Sequence, residues 1–214
     1  MAKAYYDCIP DCYGKIGWTG QPGTVAGESA AIHVPQNITV DYGVIRDAVW
    51  IWDDSSYSFV SAGIAAYHGT NNAHFFYGNS LNGGGFVEYP QNDLEPGMFG
   101  YNVDITVYKD PNDFNNYIVG LLPSCCQGNY YLAYGPFWES RTMIGIDSYG
   151  QSLGFWYTSW QYNKYILYPS YGVYYHLGSQ DSLNRVSGPL NVYWNPRPEN
   201  DPNHIGGTWE APGN

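Results

Sequence analysis

The segment SFVSAGIAAYHG, residues 58–69, consists of aromatic, β-branched and small residues and ends in a His-Gly pair. Bulky and small side chains alternate along it, and its apolar residues do not follow the spacing of a helix. A run of this kind between turn residues is typical of a β-strand. We therefore predict a strand over residues 57–67, after the turn-forming cluster 53–56, and interpret Ser61 as a residue of the sheet.

The same pattern recurs on both sides of this segment. Short aromatic and β-branched runs alternate with Gly, Pro, Asn and Asp clusters, which favours strands joined by turns. Many strands at this spacing, without helices between them, predict an all-β, antiparallel β-sandwich. The further predicted strands are 29–35, 46–52, 73–79, 85–89, 100–109, 115–122, 129–135, 141–148, 153–160, 163–169 and 171–177.

The length of 214 residues fits one large β-domain. We predict an N-terminal arm over residues 1–28 and a sandwich domain over residues 29–194. The remaining residues, 195–214, read NPRPENDPNHIGGTWEAPGN and are rich in Pro, Asn and Gly. We expect this segment to be an irregular tail on the surface.

The charge balance excludes two classes of partner. Eight Lys and Arg residues stand against nineteen Asp and Glu residues, and the formal net charge is −11. Nucleic-acid binding needs clustered basic residues, and the sequence has no such cluster. Binding to an anionic membrane is disfavoured for the same reason, and no apolar run has the length of a membrane span.

Four cysteines lie in two pairs far apart in the sequence, Cys8 with Cys12 and Cys125 with Cys126. A bond between adjacent Cys125 and Cys126 closes a cramped ring, so we favour the two pairings that join the arm to the later loop. A zinc site is the alternative, although the second pair lacks the usual spacer between ligands. Disulfides predict an oxidising compartment, and we expect an extracellular or cell-surface location.

Two common catalytic motifs are missing from the sequence, which has no H-E-x-x-H and no P-loop pattern. If the chain is a hydrolase, the candidate acids are Glu88, Glu139 and Asp147, each of which stands alone on or beside a predicted strand. A solitary strand carboxylate also commonly caps a turn or faces water. We expect no cofactor, with calcium at the Asp- and Asn-rich loop 108–116 as the alternative to a plain turn.

Aromatic residues give the strongest binding signal. Residues 153–175 hold two Trp and seven Tyr residues, and strand alternation places Trp156 and Trp160 on one face. Exposed aromatic rings beside Asn and Gln suit sugar stacking or protein contact, whereas burial of both faces is the alternative. The predicted ligand-binding groove comprises Trp52, Ser61, Tyr67, Trp156 and Trp160.

Several of these strands form an ordered series: AAIHVPQ, DAVWIW, FVSAGIAAYHG, AHFFYGN, LEPGMFGYNVDITVYKD and NNYIVG. The series resembles glutamic-peptidase-like and neprosin-like secreted proteins, which implies a concanavalin-A-like jelly roll with a groove on one sheet. The resemblance places Ser61 where the family has a catalytic glutamine. It places Tyr77 or Gly78 near a tyrosine-flanked glutamate, and Ile146 near a second glutamate with Asp147 beside it.

Since those catalytic positions are substituted, we expect a secreted β-sandwich that binds rather than cleaves. Its expected partner is a carbohydrate or a protein surface, with self-association into a homo-oligomer as a further expectation. One alternative is a diverged secreted hydrolase, either a glutamic peptidase or a glycosidase. Another is a structural subunit of an extracellular coat or filament.

Overall fold

A computed structural model describes residues 11–19, 23, 25–34, 36, 39–40, 43–70, 72–94, 98–123, 128–149, 154–167, 174–176, 183–187, 193–198 and 205–211. Over these ranges the chain forms sixteen strands. Within the same ranges, no helix has the length and apolar character needed to cross a membrane. The strands are β1 (Asp11–Thr19), β2 (Val25–His33), β3 (Thr39–Val40), β4 (Val44–Asp53), β5 (Ser58–Tyr67), β6 (Ala73–Ser80), β7 (Val87–Asp93), β8 (Asn102–Lys109), β9 (Asn116–Pro123), β10 (Asn129–Tyr134), β11 (Arg141–Tyr149), β12 (Gly154–Leu167), β13 (Tyr174–His176), β14 (Leu183–Ser187), β15 (Tyr193–Pro198) and β16 (Ile205–Ala211).

The strands form two antiparallel sheets. The seven-stranded sheet has the order β14-β1-β11-β4-β5-β6-β7. The nine-stranded sheet has the order β10-β9-β8-β2-β12-β16-β15, and β3 and β13 also pair with β12. This architecture confirms the predicted all-β, antiparallel β-sandwich, and the predicted strand over 57–67 is β5.

The main core lies between the two sheets. Strand alternation sends Val60, Ala62 and Ile64 of β5 toward it, and Ile105 and Val119 reach it from the nine-stranded sheet. All five side chains are fully or almost fully buried. The hydrophobic effect that results from this burial is the main force that holds the two sheets together.

A second apolar cluster lies on the opposite side of the seven-stranded sheet, which we call the outer face. Its buried members are Val44, Ala48, Trp50, Ala65, Phe76 and Met143, all of them on strands of that sheet. Strand β5 is therefore buried on both faces, which explains why its sequence is mostly apolar and does not alternate between polar and apolar residues.

Both ends of the chain differ from the prediction. β1 pairs with β11 and β14, and the tail contributes β15 and β16 to the nine-stranded sheet. The predicted boundaries at 28/29 and 194/195 thus fall inside β2 and β15. Pro196 and Pro198 are tolerated because β15 ends the sheet order, where one side of a strand needs no ladder of hydrogen bonds.

Two predicted strands, 153–160 and 163–169, are one strand, β12. Its pairing with β2 shifts register between Trp160 and Asn163, as at a β-bulge. A bulge interrupts the alternation that sequence patterns follow, so the pattern of this one long strand predicts two short ones.

The edge strand β10 presents one apolar face to solvent. Tyr130, Leu132 and Tyr134 are exposed at every second position, whereas Ala133 is buried in the core. The register places Tyr130 beside Gly120 of β9, and the Tyr130 ring covers that glycine.

Gly63 sits where β4 and β5 come very close together. A Cβ atom at this position would meet the carbonyl oxygen of Asp47 and lie 2.6 Å from the Cα atom of Ala48. We expect Gly63→Ala to lower the free energy of unfolding by about 2 kcal/mol, because the backbone must shift. Gly85→Ala is the matched control, since a Cβ there meets nothing within 4 Å. Equal denaturation midpoints for the two variants would contradict this account of the close approach.

Candidate functional site

The outer face carries a row of residues that runs across five strands. The register places Met143 of β11 beside Trp50 of β4, Trp50 beside Ser61 of β5, Ser61 beside Gly78 of β6, and Gly78 beside Glu88 of β7. Paired residues point to the same side of a sheet, so this row forms the middle of the outer face.

Ser61 is completely buried in this row. Gly78 beside it has no side chain, and ring atoms of Phe86 lie 2.7 Å from the place where its Cβ would be. The Phe86 ring therefore covers the sheet surface at Gly78, next to Ser61. In the part of the chain that the structure describes, the Ser61 hydroxyl has no hydrogen-bond partner. A covered hydroxyl without a base beside it does not serve as a nucleophile.

Arg46 joins two carboxylates on the outer face. Its Nε donates to Glu88 Oε2 at 2.7 Å, and its Nη2 lies 2.7 Å from the same oxygen. Asp147 Oδ1 lies 3.9 Å from Arg46 Nη1. The side chains of Arg46, Glu88 and Asp147 are only 13%, 11% and 23% exposed. Two of the three predicted acids thus meet around one cation.

The contact between Arg46 and Glu88 also gives information on the geometry of the seven-stranded sheet. Arg46 is on β4 and Glu88 is on β7, three strand spacings apart, which is about 14 Å in a flat sheet. Glu88 also lies in a different row from Arg46. The seven-stranded sheet is therefore not flat between β4 and β7, as expected from the twist of neighbouring strands.

Burial raises the pKa of the Glu88 carboxyl above its ordinary value. The charge and hydrogen bond of Arg46 oppose this shift, and the negative charge of Asp147 adds to it. Arg46 occupies Oε2, whereas the buried Oε1 accepts no hydrogen bond from any described residue. Oε1 is thus the atom on which a proton can reside.

Aromatic rings line the outer face beside these charges. Trp52 and Phe59 have ring centroids 4.5 Å apart, and Phe59 stacks on Phe86 at 5.4 Å. Phe86 meets Phe76 edge to face at 6.3 Å, and the Arg46 guanidinium lies 5.2 Å from the Phe86 centroid. The rings limit the access of water to the cation, which strengthens its interaction with both carboxylates.

A second cation, Arg141, contacts the aromatic row at its other end, which is Trp52. The guanidinium of Arg141 lies 5.2 Å from the Trp52 centroid and forms a 2.6 Å ion pair with Asp54. Both members of this pair are more exposed than the Arg46 cluster. The row therefore has a charged residue at each end and apolar rings between them.

Glu139, the third predicted acid, lies apart from this cluster. It is completely buried, and burial raises its pKa to about 7. Backbone N–H groups of Glu139, Gly23 and Val25, together with the charge of Lys109, oppose that shift. Glu139 thus connects the segment that leads into β11 with the start of β2 and the end of β8.

Lys109 is buried near Glu139, at the end of β8. Its Nζ donates to the carbonyl oxygens of Gly135, at 2.7 Å, and of Phe137. The ammonium lies 4.1 Å from the Tyr117 ring centroid and 5.6 Å from that of Trp138. Burial lowers the pKa of Lys109 to about 8, against the charges of Glu139 and Asp113. Lys109 thus fixes the segment 135–139 through hydrogen bonds to its backbone carbonyls.

The predicted groove residues fall on two sheets. Trp52, Ser61 and Tyr67 lie on the outer face, on β4 and β5. Trp156 and Trp160 lie on β12 of the nine-stranded sheet, and their side chains are outside the described part of the structure. The five residues therefore do not line one sheet, because residues 153–160 belong to a strand of the other sheet.

Cys8, Cys125 and Cys126 lie outside the described residues, and Cys12 is described only as backbone of β1. The disulfide pairing therefore stays a prediction.

The predicted calcium loop is a series of side-chain-capped turns. Asp110 accepts a hydrogen bond from the Asn112 backbone, and Asp113 accepts bonds from Asn115 and Asn116. Such bonds are typical of Asx turns. Over the described ranges, no group of three or more His, Cys, Asp or Glu side chains is arranged to hold a metal ion.

Arg46 is the site residue that sequence reasoning missed. A signal exists, because Arg46 and Asp47 are charged residues inside a strand that is otherwise apolar. A charged side chain in such a place needs a partner, but its partner comes from β7, which strand patterns alone do not place.

The β-sandwich fold of this chain is similar to that of glutamic peptidases. A structure of scytalido-glutamic peptidase with a peptide-based transition-state analogue matches with a TM-score of 0.63 at 9% identity, and covers 94% of this chain and 98% of that chain. A second structure of that peptidase, with a transition-state analogue inhibitor, matches at 0.62 and 8% identity with the same coverage. SCP-B, an Eqolisin-family peptidase in a complex with the tripeptide Ala-Ile-His, matches at 0.60 and 8% identity, again with the same coverage.

At these identities the likeness is one of fold alone. It supports the glutamic-peptidase-like part of the expected resemblance and leaves the neprosin-like part a prediction. No family model matches the sequence, and no curated protein matches it.

The raised pKa of Glu139 makes stability depend on pH. Below the ordinary pKa of about 4.5, the carboxyl is protonated in both folded and unfolded chains; above pH 7, the folded chain carries a buried charge. Glu139→Gln removes that charge. We expect its free energy of unfolding to rise, relative to the parent, by up to about 3 kcal/mol between pH 4.5 and pH 7.5. Urea denaturation over that range measures the difference, and a pH-independent difference would contradict the raised pKa.

Proposed function

We propose that the chain is a hydrolase of peptide bonds that uses Glu88, Asp147 and Arg46 on the outer face. The observation that carries this proposal is the convergence of two carboxylates on one largely buried guanidinium. Solved structures with the same fold include peptidases, which supports the reaction class without identifying the residues. We further propose an extracellular location, on the argument from the cysteines.

The three groups suit acid–base catalysis of amide hydrolysis. The Asp147 carboxylate takes a proton from the attacking water, and Glu88 donates the proton on Oε1 to the leaving nitrogen. The raised pKa of Glu88 keeps that proton available at mildly acidic pH. Arg46 lies between the two acids, where its positive charge stabilises the oxyanion of the tetrahedral intermediate.

This assignment does not use the positions that the family resemblance indicated. Ser61 is completely buried beside Gly78, and its hydroxyl supplies no amide to orient water. Ile146 is an apolar residue and has no proton to transfer. The proposed chemistry therefore differs from a glutamate–glutamine pair and depends on Glu88 and Asp147 instead.

Activity on an unfolded protein substrate across pH 3–8 tests the proposal. We expect hydrolysis at acid pH that declines as pH rises through the raised pKa of Glu88, since the general acid must be protonated. Glu88→Gln and Asp147→Asn should each lower kcat by at least about 100-fold, the usual loss for an acid–base group.

Asp104→Asn is the matched control, because Asp104 lies on β8 of the other sheet. It should retain parental activity. A fully folded parent without activity at any pH, or Glu88→Gln and Asp147→Asn variants that remain as active as the parent, would exclude this hydrolase.

A second candidate function is binding without cleavage, to a carbohydrate or a protein ligand. The observation in its favour is the row of half-buried aromatic rings formed by Trp52, Phe59 and Phe86. The row lies near Ser61, which stands where the family resemblance places a catalytic glutamine. Such rings contribute large contact area at small entropic cost.

Titration calorimetry with peptides and oligosaccharides tests this second function. We expect a bound ligand to be recovered intact, and Trp52→Ala to weaken its affinity at least about tenfold. Tyr57→Ala is the control, because Tyr57 is 72% exposed in a turn. Equal affinity of the parent and Trp52→Ala, or cleavage of the ligand, would contradict binding by this row alone.

A further inference from the structure

Three tyrosine rings stack at one open edge of the sandwich. The Tyr77 centroid lies 5.2 Å from that of Tyr89, at an interplanar angle of 26°. It lies 5.1 Å from that of Tyr131, at 21°. Tyr77 therefore sits between two rings that are nearly parallel to it, in the offset arrangement that aromatic pairs prefer.

The stack joins the two sheets. Tyr77 is on β6 and Tyr89 is on β7 of the seven-stranded sheet, whereas Tyr131 is on β10, the end strand of the nine-stranded sheet. Tyr77 and Tyr131 both pack against the main core, but Tyr89 is 45% exposed. The exposed Tyr89 ring thus contacts both the solvent and the Tyr77 ring, which with Tyr131 is held by the core.

We propose that Tyr77 and Tyr131 form an oxidative modification site, at which a one-electron oxidant of the haem peroxidase class couples the two rings into a dityrosine. Each phenol loses one electron and one proton and becomes a tyrosyl radical. The two radicals form a carbon–carbon bond between ring positions ortho to the hydroxyls, and the rings return to aromaticity by moving a ring hydrogen to each oxygen. The product lacks two hydrogen atoms, and one hydrogen peroxide is reduced to two waters.

Geometry selects this pair among the tyrosines whose side chains the structure describes. Radical coupling needs the ortho carbons of two oxidised rings to meet, and packing against the core keeps Tyr77 and Tyr131 as direct neighbours. Their partial burial protects the radicals from scavengers and from other protein molecules. Tyr89 is the entry point, because its exposed ring meets the oxidant and stacks directly on Tyr77.

The cross-link would join residues more than 50 positions apart in the sequence and tie β6 to β10 across the open edge. A covalent link over such an interval restricts the unfolded chain more than the folded one. The modified protein should consequently unfold at a temperature about 10 °C higher than the unmodified protein.

The test treats the full chain at low concentration with a haem peroxidase and hydrogen peroxide, then separates the monomer and digests it. Mass spectrometry should find a linked peptide pair that contains Tyr77 and Tyr131 and lacks two hydrogen atoms. Tyr77→Phe and Tyr131→Phe keep the stacked ring but lose the phenol, so each should lower the yield of this product at least tenfold.

Tyr57→Phe is the control, since that isolated tyrosine is 72% exposed and should not affect the yield. Tyr89→Phe should slow formation several-fold and leave the product unchanged. The proposal is overturned if monomer cross-links join other tyrosines instead, or if the product persists in Tyr77→Phe. An unchanged rate in Tyr89→Phe would overturn the role of Tyr89 as the entry point.

Discussion

Burial of strand β5 on both faces is the constraint on which the rest of the structure depends. Toward the core, Val60 and Ile64 supply the apolar contacts between the sheets. On the outer face, the three central positions of β5 are Ser61, Gly63 and Ala65. Because these residues are small, side chains of the neighbouring strands can extend over the middle of β5. Phe86 lies over this surface from one side and Arg46 crosses it toward Glu88. A larger residue at any of these three positions would occupy the space that the site uses.

Buried charge imposes a second requirement, and the chain meets it in two ways. Arg46 is compensated by carboxylates from β7 and β11, so its ion pairs tie together strands that are not neighbours. Lys109 is compensated mainly by backbone carbonyls and aromatic rings, with Glu139 nearby. The first arrangement leaves the side chains of both carboxylates partly exposed. The second is closed to solvent and fixes the segment that precedes β11.

The sequence predicts those parts of the fold that local patterns determine. The strand over 57–67 and its neighbours follow from apolar runs and turn residues, so the all-β class is readable from the sequence. β15 and β16 are not, because their Pro and Gly content imitates a loop and only pairing within the sheet orders them. The site is predictable only in part, since the sequence indicates Glu88 and Asp147 as separate candidates. Their meeting depends on the contacts of Arg46 with β7 and β11, which only the pairing of the strands in the sheet brings about.

The exposed face of β10 has a consequence for how the protein behaves as a solute. Tyr130, Leu132 and Tyr134 form an apolar stripe on an edge strand, and the segment 128–136 contains no charged residue to discourage pairing with another strand. Mutual repulsion between molecules that carry a net charge of −11 is then the main protection against association through this stripe. That protection weakens as carboxylates take up protons. Colloidal stability should therefore fall in acid, and added salt, which screens the repulsion, acts in the same direction as acid.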